Sequence, residues 1–311
     1  MLPDKDIAQR LRLRDLHMLR VVGDERSMAR AARILAVSQP AISKAIAEME
    51  RLVGASLLDR SAQGVALTPA GEVLLARGIV VFDELQQGIE EIRALEDPAQ
   101  GHLRIGTTEP LTAIVSIVIA ELIGPYPRMS FEVTVADSTS LLARLRERQI
   151  DLAITRTAAS AAEADLQAEP LFHDPLVVMA GRRHRLVRRK RLNLAELSGE
   201  AWTLSPPEMF LGRFVTEAFR AQGLDPPRPV VTAPTVVMRV GLMRTGRFLS
   251  ILPSAMLRFP QQYPGLVALP VHLEGTRRPI ALVTLPDRRP APALRIFRDR
   301  VLAAARKASL P

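Results

Sequence analysis

Over the first sixty residues, apolar positions recur every three and four residues, so the chain opens on short amphipathic helices. Leu13, Leu16, Leu19 and Val22 form one stripe and predict a helix over Leu11–Val22. Ser27 is placed to cap a second helix, Met28–Leu35, with Met28, Ala31, Ala32 and Leu35 on one face. After a break at Ala36 and Val37, Ser38 can cap a third helix reaching about Val53. Its core stripe is Ile42, Ile46, Met49 and Val53, which leaves Pro40, Ser43, Lys44 and Ala47 on the opposite face and Gln39 at the N-terminal edge.

Past this region the periodicity changes twice. Leu57–Arg60 and Gly64–Leu67 read as two short strands around a turn. Thr68-Pro69-Ala70-Gly71-Glu72 then starts a long helix, with Thr68 as cap and Pro69 at its first position, and Pro98 stops it. Leu75, Ile79, Phe82, Leu85, Ile89, Ile92 and Leu95 step along it by threes and fours. A seam of this kind needs a partner, either a second copy of the chain or the chain's own second domain. From Gly101 onward, strands and helices alternate. Leu103 and Ile105, then Phe131, Val133 and Val135, then Ile150–Thr155 read as strands of a mostly parallel sheet. A second α/β lobe follows, with strands over Leu176–Ala180, Ala201–Leu204, Phe248–Leu252 and Pro279–Leu285 and helices over Phe210–Ala221, Thr235–Arg244 and Arg295–Ala305.

Two helices joined by a tight turn, the second with a short, polar and basic outer face, predict a helix-turn-helix. The N-terminal part of such a helix enters the major groove. Gln39 can pair with adenine, Lys44 can reach guanine or phosphate, and Ser43 can donate to phosphate. Arg60, at the base of the strand pair, is placed for a narrow minor groove. A small helical core with a solvated face, and an Arg60 ion-paired to Asp59 or Glu50, would fit the same periodicity.

Composition sharpens this picture. The 311 residues suit two domains, 48% are hydrophobic and 24% charged, and there is no cysteine. That excludes disulfides, thiolate-bound zinc and thiol nucleophiles. The net charge is +9, yet residues 61–97 are acidic and most of the excess lies in the C-terminal two-thirds, notably the run Arg182–Arg191. Such a run reads as a solvated loop, with a second DNA contact or an attractive field for an anion as alternatives. No signal peptide is expected, since Asp4, Lys5 and Asp6 open the chain, and no segment is long and apolar enough to span a membrane. A cytoplasmic protein follows. The five histidines are scattered, and no Gly-x-Ser-x-Gly, Walker A or Gly-x-Gly-x-x-Gly occurs. Neither an enzyme nor a metal or cofactor is expected. Hydroxyl clusters at Thr107/Thr108 and Ser138/Thr139/Ser140 end predicted strands, where α/β sheets bind ligands and where helices are also capped.

The run Ala31–Ile46, with Leu52, Gly54, Leu57-Leu58-Asp59-Arg60 and Leu67-Thr68-Pro69-Ala70-Gly71, resembles the helix-turn-helix of LysR-type transcriptional regulators. The likeness continues through Gln149–Ile154 and from Gly246 to Pro253. It implies an N-terminal all-α winged helix-turn-helix (1–67), a linker and dimerisation helix (68–97), and an α/β effector domain (98–311) similar to periplasmic binding proteins. Lobe I would comprise 101–170 and 268–311, and lobe II 171–267. The resemblance further implies a homodimer or homotetramer on an inverted-repeat promoter, contact with RNA polymerase, and a small-molecule co-inducer between the lobes. A constitutive regulator with a vestigial pocket is the alternative.

By position, the resemblance makes Ser38, Gln39, Pro40, Ser43 and Lys44 recognition contacts, Arg60 the wing contact, and Arg33 and Thr68 phosphate contacts. Leu75, Ile79, Phe82, Leu85, Ile89 and Ile92 would form the dimer seam. Thr107, Thr108, Ser138, Thr139, Ser140, Ser205 and Thr235 would line the effector cleft. Glu109 falls in the first cleft loop, where it would repel an anion unless neutralised. Arg156 is the expected counter-charge, or else the group that meets an effector carboxylate.

Overall fold

The computed structural model describes residues 10–61, 64–97, 100–157, 164–259, 262–288 and 290–308. The chain divides into two compact units, one up to Ile89 and one from Glu90 onward. In the first unit, helices α1 (Leu13–Glu25), α2 (Met28–Ile34) and α3 (Gln39–Val53) enclose one core. Leu16, Leu19 and Val22 meet Met28, Ala31 and Ala32, and Ile42, Ile46 and Met49 close the third side. The Ser27 and Ser38 hydroxyls accept from the N–H groups of Arg30 and Ala41, each at 3.3 Å, so both caps form as expected. Between α2 and α3 the chain reverses through Ala36, held at φ 52°.

Two positions depart from the expected stripes. Leu13 is exposed at the start of α1, and the face closes instead through Met18 and Val21. Val53 is exposed and Leu52 is buried, because a step of three from Met49 keeps the same face as a step of four, and α3 ends at Gly54 in the left-handed region.

Strands β1 (Leu58–Ser61) and β2 (Gly64–Leu67) pair antiparallel, with Arg60 opposite Val65. The α3 residue Glu50 fastens their base: its Oε1 accepts from the N–H groups of Leu57 (2.8 Å) and Leu58 (3.3 Å) and from the Ser56 hydroxyl (3.1 Å). Helix α4 (Pro69–Glu96) follows, 28 residues and ~42 Å long. Pro98 lies outside the described residues. The Thr68 hydroxyl accepts from Gly71 N–H (3.0 Å) and donates to the Ser56 carbonyl (2.6 Å). Gly71 permits this join, since a Cβ there would collide with the carbonyl oxygen of Leu57. In the first half of α4, Ala70, Leu74 and Phe82 pack on the N-terminal core, with the His17 ring edge-on to Phe82 at 6.2 Å. Phe82, expected in the seam, is thus half-buried in an intrachain contact. Farther along, Leu85 (47% exposed), Ile89 (47%) and Ile92 (65%) form an uncovered stripe.

In the second unit, strands β3 (Gly101–Thr107), β4 (Met129–Val135), β5 (Leu152–Arg156), β6 (Gln167–Asp174) and β12 (Arg278–Thr284) make a sheet of order β4-β3-β5-β12-β6. β3 is parallel to β4 and β5, while β12 runs antiparallel to β5 and β6. Helices α5 (Thr112–Ile123) and α9 (Pro292–Ala308) contribute Ile114, Val118, Leu122, Phe297 and Val301 to a core with β3, β5 and β12. Helix α6 (Ser138–Arg146) contributes Leu141, Leu142 and Leu145 to another. β4 lies at the edge, which leaves Val133 and Val135 exposed.

The second lobe has β7 (Leu176–Gly181) between β10 (Leu249–Pro253) and β11 (Leu266–Ala268), plus the short parallel pair β8 (Thr203–Leu204) and β9 (Val231–Thr232). Helices α7 (Phe210–Ala221) and α8 (Val236–Arg244) pack here. The lobe crossings lie later than expected. β6 stays in the first sheet as far as Asp174, opposite Arg278, so the chain leaves at 174–176 instead of near 170. Leu269, Val271 and Leu273 still belong to the second lobe's core, so the return falls at 274–277 rather than 267–268. Among the described residues no helix is long and apolar enough to cross a membrane.

Asp151 binds Arg104 through its N–H (2.7 Å) and Nε (3.1 Å), and Arg288 Nη1 (2.6 Å). Burial alone would raise its pKa, but the charges of Arg288 and Arg104 outweigh burial and hold it below the ordinary aspartate value. This stability is present above the unfolded value near pH 4 and is lost as pH falls through the lower folded value. Asp151→Asn should cost about 3 kcal/mol at pH 7 in chemical denaturation, with a gap from wild type that narrows below pH ~4. Gly71→Ala should cost about 2 kcal/mol and lower the N-terminal unit's melting transition, through the Leu57 clash.

Candidate functional site

Two surfaces carry candidate chemistry. On the first unit, Gln39, Pro40 and Lys44 are exposed on α3, and Ser43 is half-buried beside them. Arg60 is exposed on β1 and Arg33 on α2. Among the described residues the Arg33, Gln39, Lys44 and Arg60 side chains make no hydrogen bond or ion pair, while neighbouring Glu48 and Arg51 pair with each other. Arg60 meets neither Asp59 nor Glu50, whose carboxylate is turned to the backbone of Leu57 and Leu58. Ser38 and Thr68 stand differently. Ser38 is the cap of α3, and the Thr68 hydroxyl has its proton on Ser56, so that proton is not free for a phosphate.

The second surface is a cleft of about 650 Å³ between the lobes of the second unit. Thr108, Ser138, Arg156, Ser205 and Thr235 border it; Thr107, Thr139 and Ser140 do not. Thr107 is fully buried and donates to the Ile154 carbonyl at 3.3 Å. Asp137 caps α6 by accepting from the N–H groups of Thr139 (3.0 Å) and Ser140 (3.1 Å), and it takes the Ser140 hydroxyl at 2.6 Å. Its burial would raise its pKa, but these hydrogen bonds prevail and lower it. The cap chemistry expected of the hydroxyls is thus supplied by the preceding carboxylate. The Ser138 hydroxyl accepts from Thr155 at 2.8 Å.

Arg156 does not neutralise Glu109. It is buried, with Nη2 on the Asp174 carboxylate at 2.8 Å and Nη1 on the Asp174 carbonyl at 2.5 Å. Burial pushes its pKa down and Asp174 opposes that. Glu109 instead reaches across the cleft, its Oε2 accepting from Val236 N–H (2.7 Å) and its Oε1 from Val237 N–H (2.9 Å). Thr235 stands at the cap position of α8 but its side chain makes no cap bond, so a carboxylate from the other lobe takes that place. Tyr263 O–H also donates to the Glu109 carbonyl at 3.1 Å.

Beside these groups lies Arg239, which is 1% exposed and borders the cleft. Its Nε approaches the Thr235 carbonyl at 3.5 Å, and its Nη1 has no hydrogen-bond partner among the described residues. Burial lowers its pKa to about 10, with the Glu109 charge acting the other way, so it stays cationic at neutral pH. Arg239, Asp174 and Tyr263 went unmarked in the sequence because each gains meaning only from a residue far away in the chain. Asp137 alone had a local signal, an Asp just ahead of a helical stripe. His184 is structural: buried, it accepts from Leu186 N–H (3.3 Å) at the start of a 3-10 turn, and burial lowers its pKa. No group of three metal-ligating side chains occurs among the described residues.

Residues 13–72 match the bacterial regulatory helix-turn-helix protein family, lysR type, and residues 96–306 match the LysR substrate binding domain. The HTH-type transcriptional regulator GbpR of Azospirillum brasilense is 28% identical over 302 residues, covering 96% of this chain and 87% of its own. An uncharacterized HTH-type transcriptional regulator, YybE of Bacillus subtilis, is 30% identical, covering 73% and 77%. Among solved structures, a singly substituted full-length OxyR from Pseudomonas aeruginosa superposes with a TM-score of 0.68 at 21% identity, covering 94% of this chain and 95% of that one. Full-length CbnR complexed with its target DNA gives 0.64 at 20% identity, covering 94% and 100%. These two structures share the fold. With both of its domains matched by LysR models and its relatives named as regulators, the chain belongs to the LysR family and is a transcriptional regulator with a helix-turn-helix and an effector-binding domain.

Proposed function

We propose that the protein binds an inverted-repeat promoter site as a homodimer or tetramer, and that a small molecule in the lobe cleft changes the bound form. The observation that carries the DNA reading is the free, exposed set Gln39, Lys44 and Arg60, mounted on a helix whose other face is buried and on a strand pair whose Leu58, Val65 and Leu67 join the same core. Ser43 and Pro40 complete the groove-facing edge, Arg33 serves a flanking phosphate, and Ser38 presents the α3 N-terminus to the backbone. Thr68 acts through the join of wing and α4 rather than on phosphate. Leu85, Ile89 and Ile92 supply the dimer stripe, with Leu75 and Ile79 half-buried behind them. Contact with RNA polymerase and action in the cytoplasm belong to the same reading. The cleft's size and its buried cation favour a working effector site over a vestigial one.

A nuclease footprint on the DNA upstream of the protein's own gene should show a protected inverted repeat. Lys44→Ala and Arg60→Ala should each weaken protection roughly tenfold, with melting and oligomeric state unchanged. Unchanged protection in both would refute the contact assignment. Ile89→Glu should yield a monomer by light scattering and abolish the footprint, and an intact oligomer would refute the stripe.

A further inference from the structure

The Glu109 carboxylate is held as a ligand carboxylate would be. Each of its oxygens takes one N–H at the α8 N-terminus, at 2.7 and 2.9 Å, and it comes from the opposite lobe. Helix N-termini attract anions because their first N–H groups lack intrahelical acceptors and the helix dipole is positive there. Thr235 offers no side-chain cap, so without Glu109 these N–H groups would face the cleft unmet. One turn into α8, Arg239 is 1% exposed, borders the same cleft, and keeps Nη1 without a hydrogen-bond partner among the described residues. A buried guanidinium with an unmet nitrogen is costly unless an acceptor comes to it. Glu109 thus satisfies the helix end and leaves the cation short of one acceptor.

We propose that the α8 N-terminus and Arg239 form a carboxylate subsite, occupied by Glu109 until an effector bearing a carboxylate on an apolar body displaces it. The proposal rests on the effector reading of the cleft and specifies the ligand. Leu111, Phe210, Leu211, Pro253 and Ile280 line the rest of the cleft and suit an apolar body. The volume of about 650 Å³ is that of a small-molecule site. Displacing Glu109 removes two hydrogen bonds that join the lobes, so a ligand that binds the released form better shifts the balance between two lobe arrangements.

The test uses the full chain and two probes of equal shape, hexanoate and hexanamide, followed by titration calorimetry. Wild type should bind hexanoate more tightly than hexanamide. Glu109→Gln, which replaces a charged competitor by a neutral one, should bind hexanoate about tenfold more tightly. Arg239→Met should lose about tenfold in hexanoate affinity and leave hexanamide unaffected. Methionine keeps an apolar stem in place of an incompletely bonded cation, and a thermal melt verifies folding; should that variant fail to fold, Glu109→Gln decides alone. Equal affinity for both probes, weaker hexanoate binding in Glu109→Gln, or no hexanoate binding in either wild type or Glu109→Gln overturns the subsite. The effector reading is judged separately on the promoter footprint. Hexanoate bound through Arg239 with an unchanged footprint supports the subsite and sinks the effector role. Hexanamide altering the footprint as well as hexanoate does the reverse.

Discussion

Asp174 stands where the chain leaves the first lobe, and its carboxylate is almost wholly buried. It takes Arg156 from β5 at 2.8 Å, the Ser254 hydroxyl at 2.7 Å and the Ala255 N–H at 2.8 Å, the last two just past β10 of the second lobe. One side chain thus fixes both lobes at their crossing. The cost of burying this pair is met by further hydrogen bonds to both partners, the condition under which a buried ion pair persists. The cleft opens beside it, with Arg156 and Asp174 in its wall.

Apart from that buried crossing, Glu109 makes a second link at the cleft rim. Its partners are backbone N–H groups at a helix end, and one is exposed. Two further bonds join the lobes beside it, Tyr263 O–H to the Glu109 carbonyl at 3.1 Å and Gln262 Nε2 to the Thr112 hydroxyl at 3.0 Å. A buried ion pair thus joins the lobes at their crossing, and a carboxylate on the cleft rim joins them across the opening.

The N-terminal unit solves a different problem. The side chains proposed to meet DNA, Gln39, Lys44 and Arg60, are unpaired among the described residues, while the backbone beneath them is pinned by hydrogen bonds. Glu50, on the same helix as Lys44, directs its charge to the wing's backbone, and Thr68 bonds the wing to α4. Arg60 consequently projects from a strand pair anchored on both sides yet remains unpaired among the described residues.

Much of this was legible in the chain alone. The Ser27 and Ser38 caps, the Ile42–Ile46–Met49 stripe, the wing, the length of α4 and the buried strand β5 follow from periodicity and cap chemistry, because these are set by neighbours within a few residues. The exposed cations of α3 and β1 were legible for the same reason. The lobe crossings, the pairing of Arg156 with Asp174 rather than Glu109, the Glu109 cap on α8 and the partial isolation of Arg239 were decided by tertiary structure. Residues 109 and 236 lie 127 apart, and no local pattern records which lobe's carboxylate meets which helix end. Phe82 makes the same point: the periodicity marked it as apolar, but only the fold shows it packing against His17 and the core of its own unit. Local periodicity specifies which face of an element is apolar; what covers that face is chosen by long-range packing and desolvation.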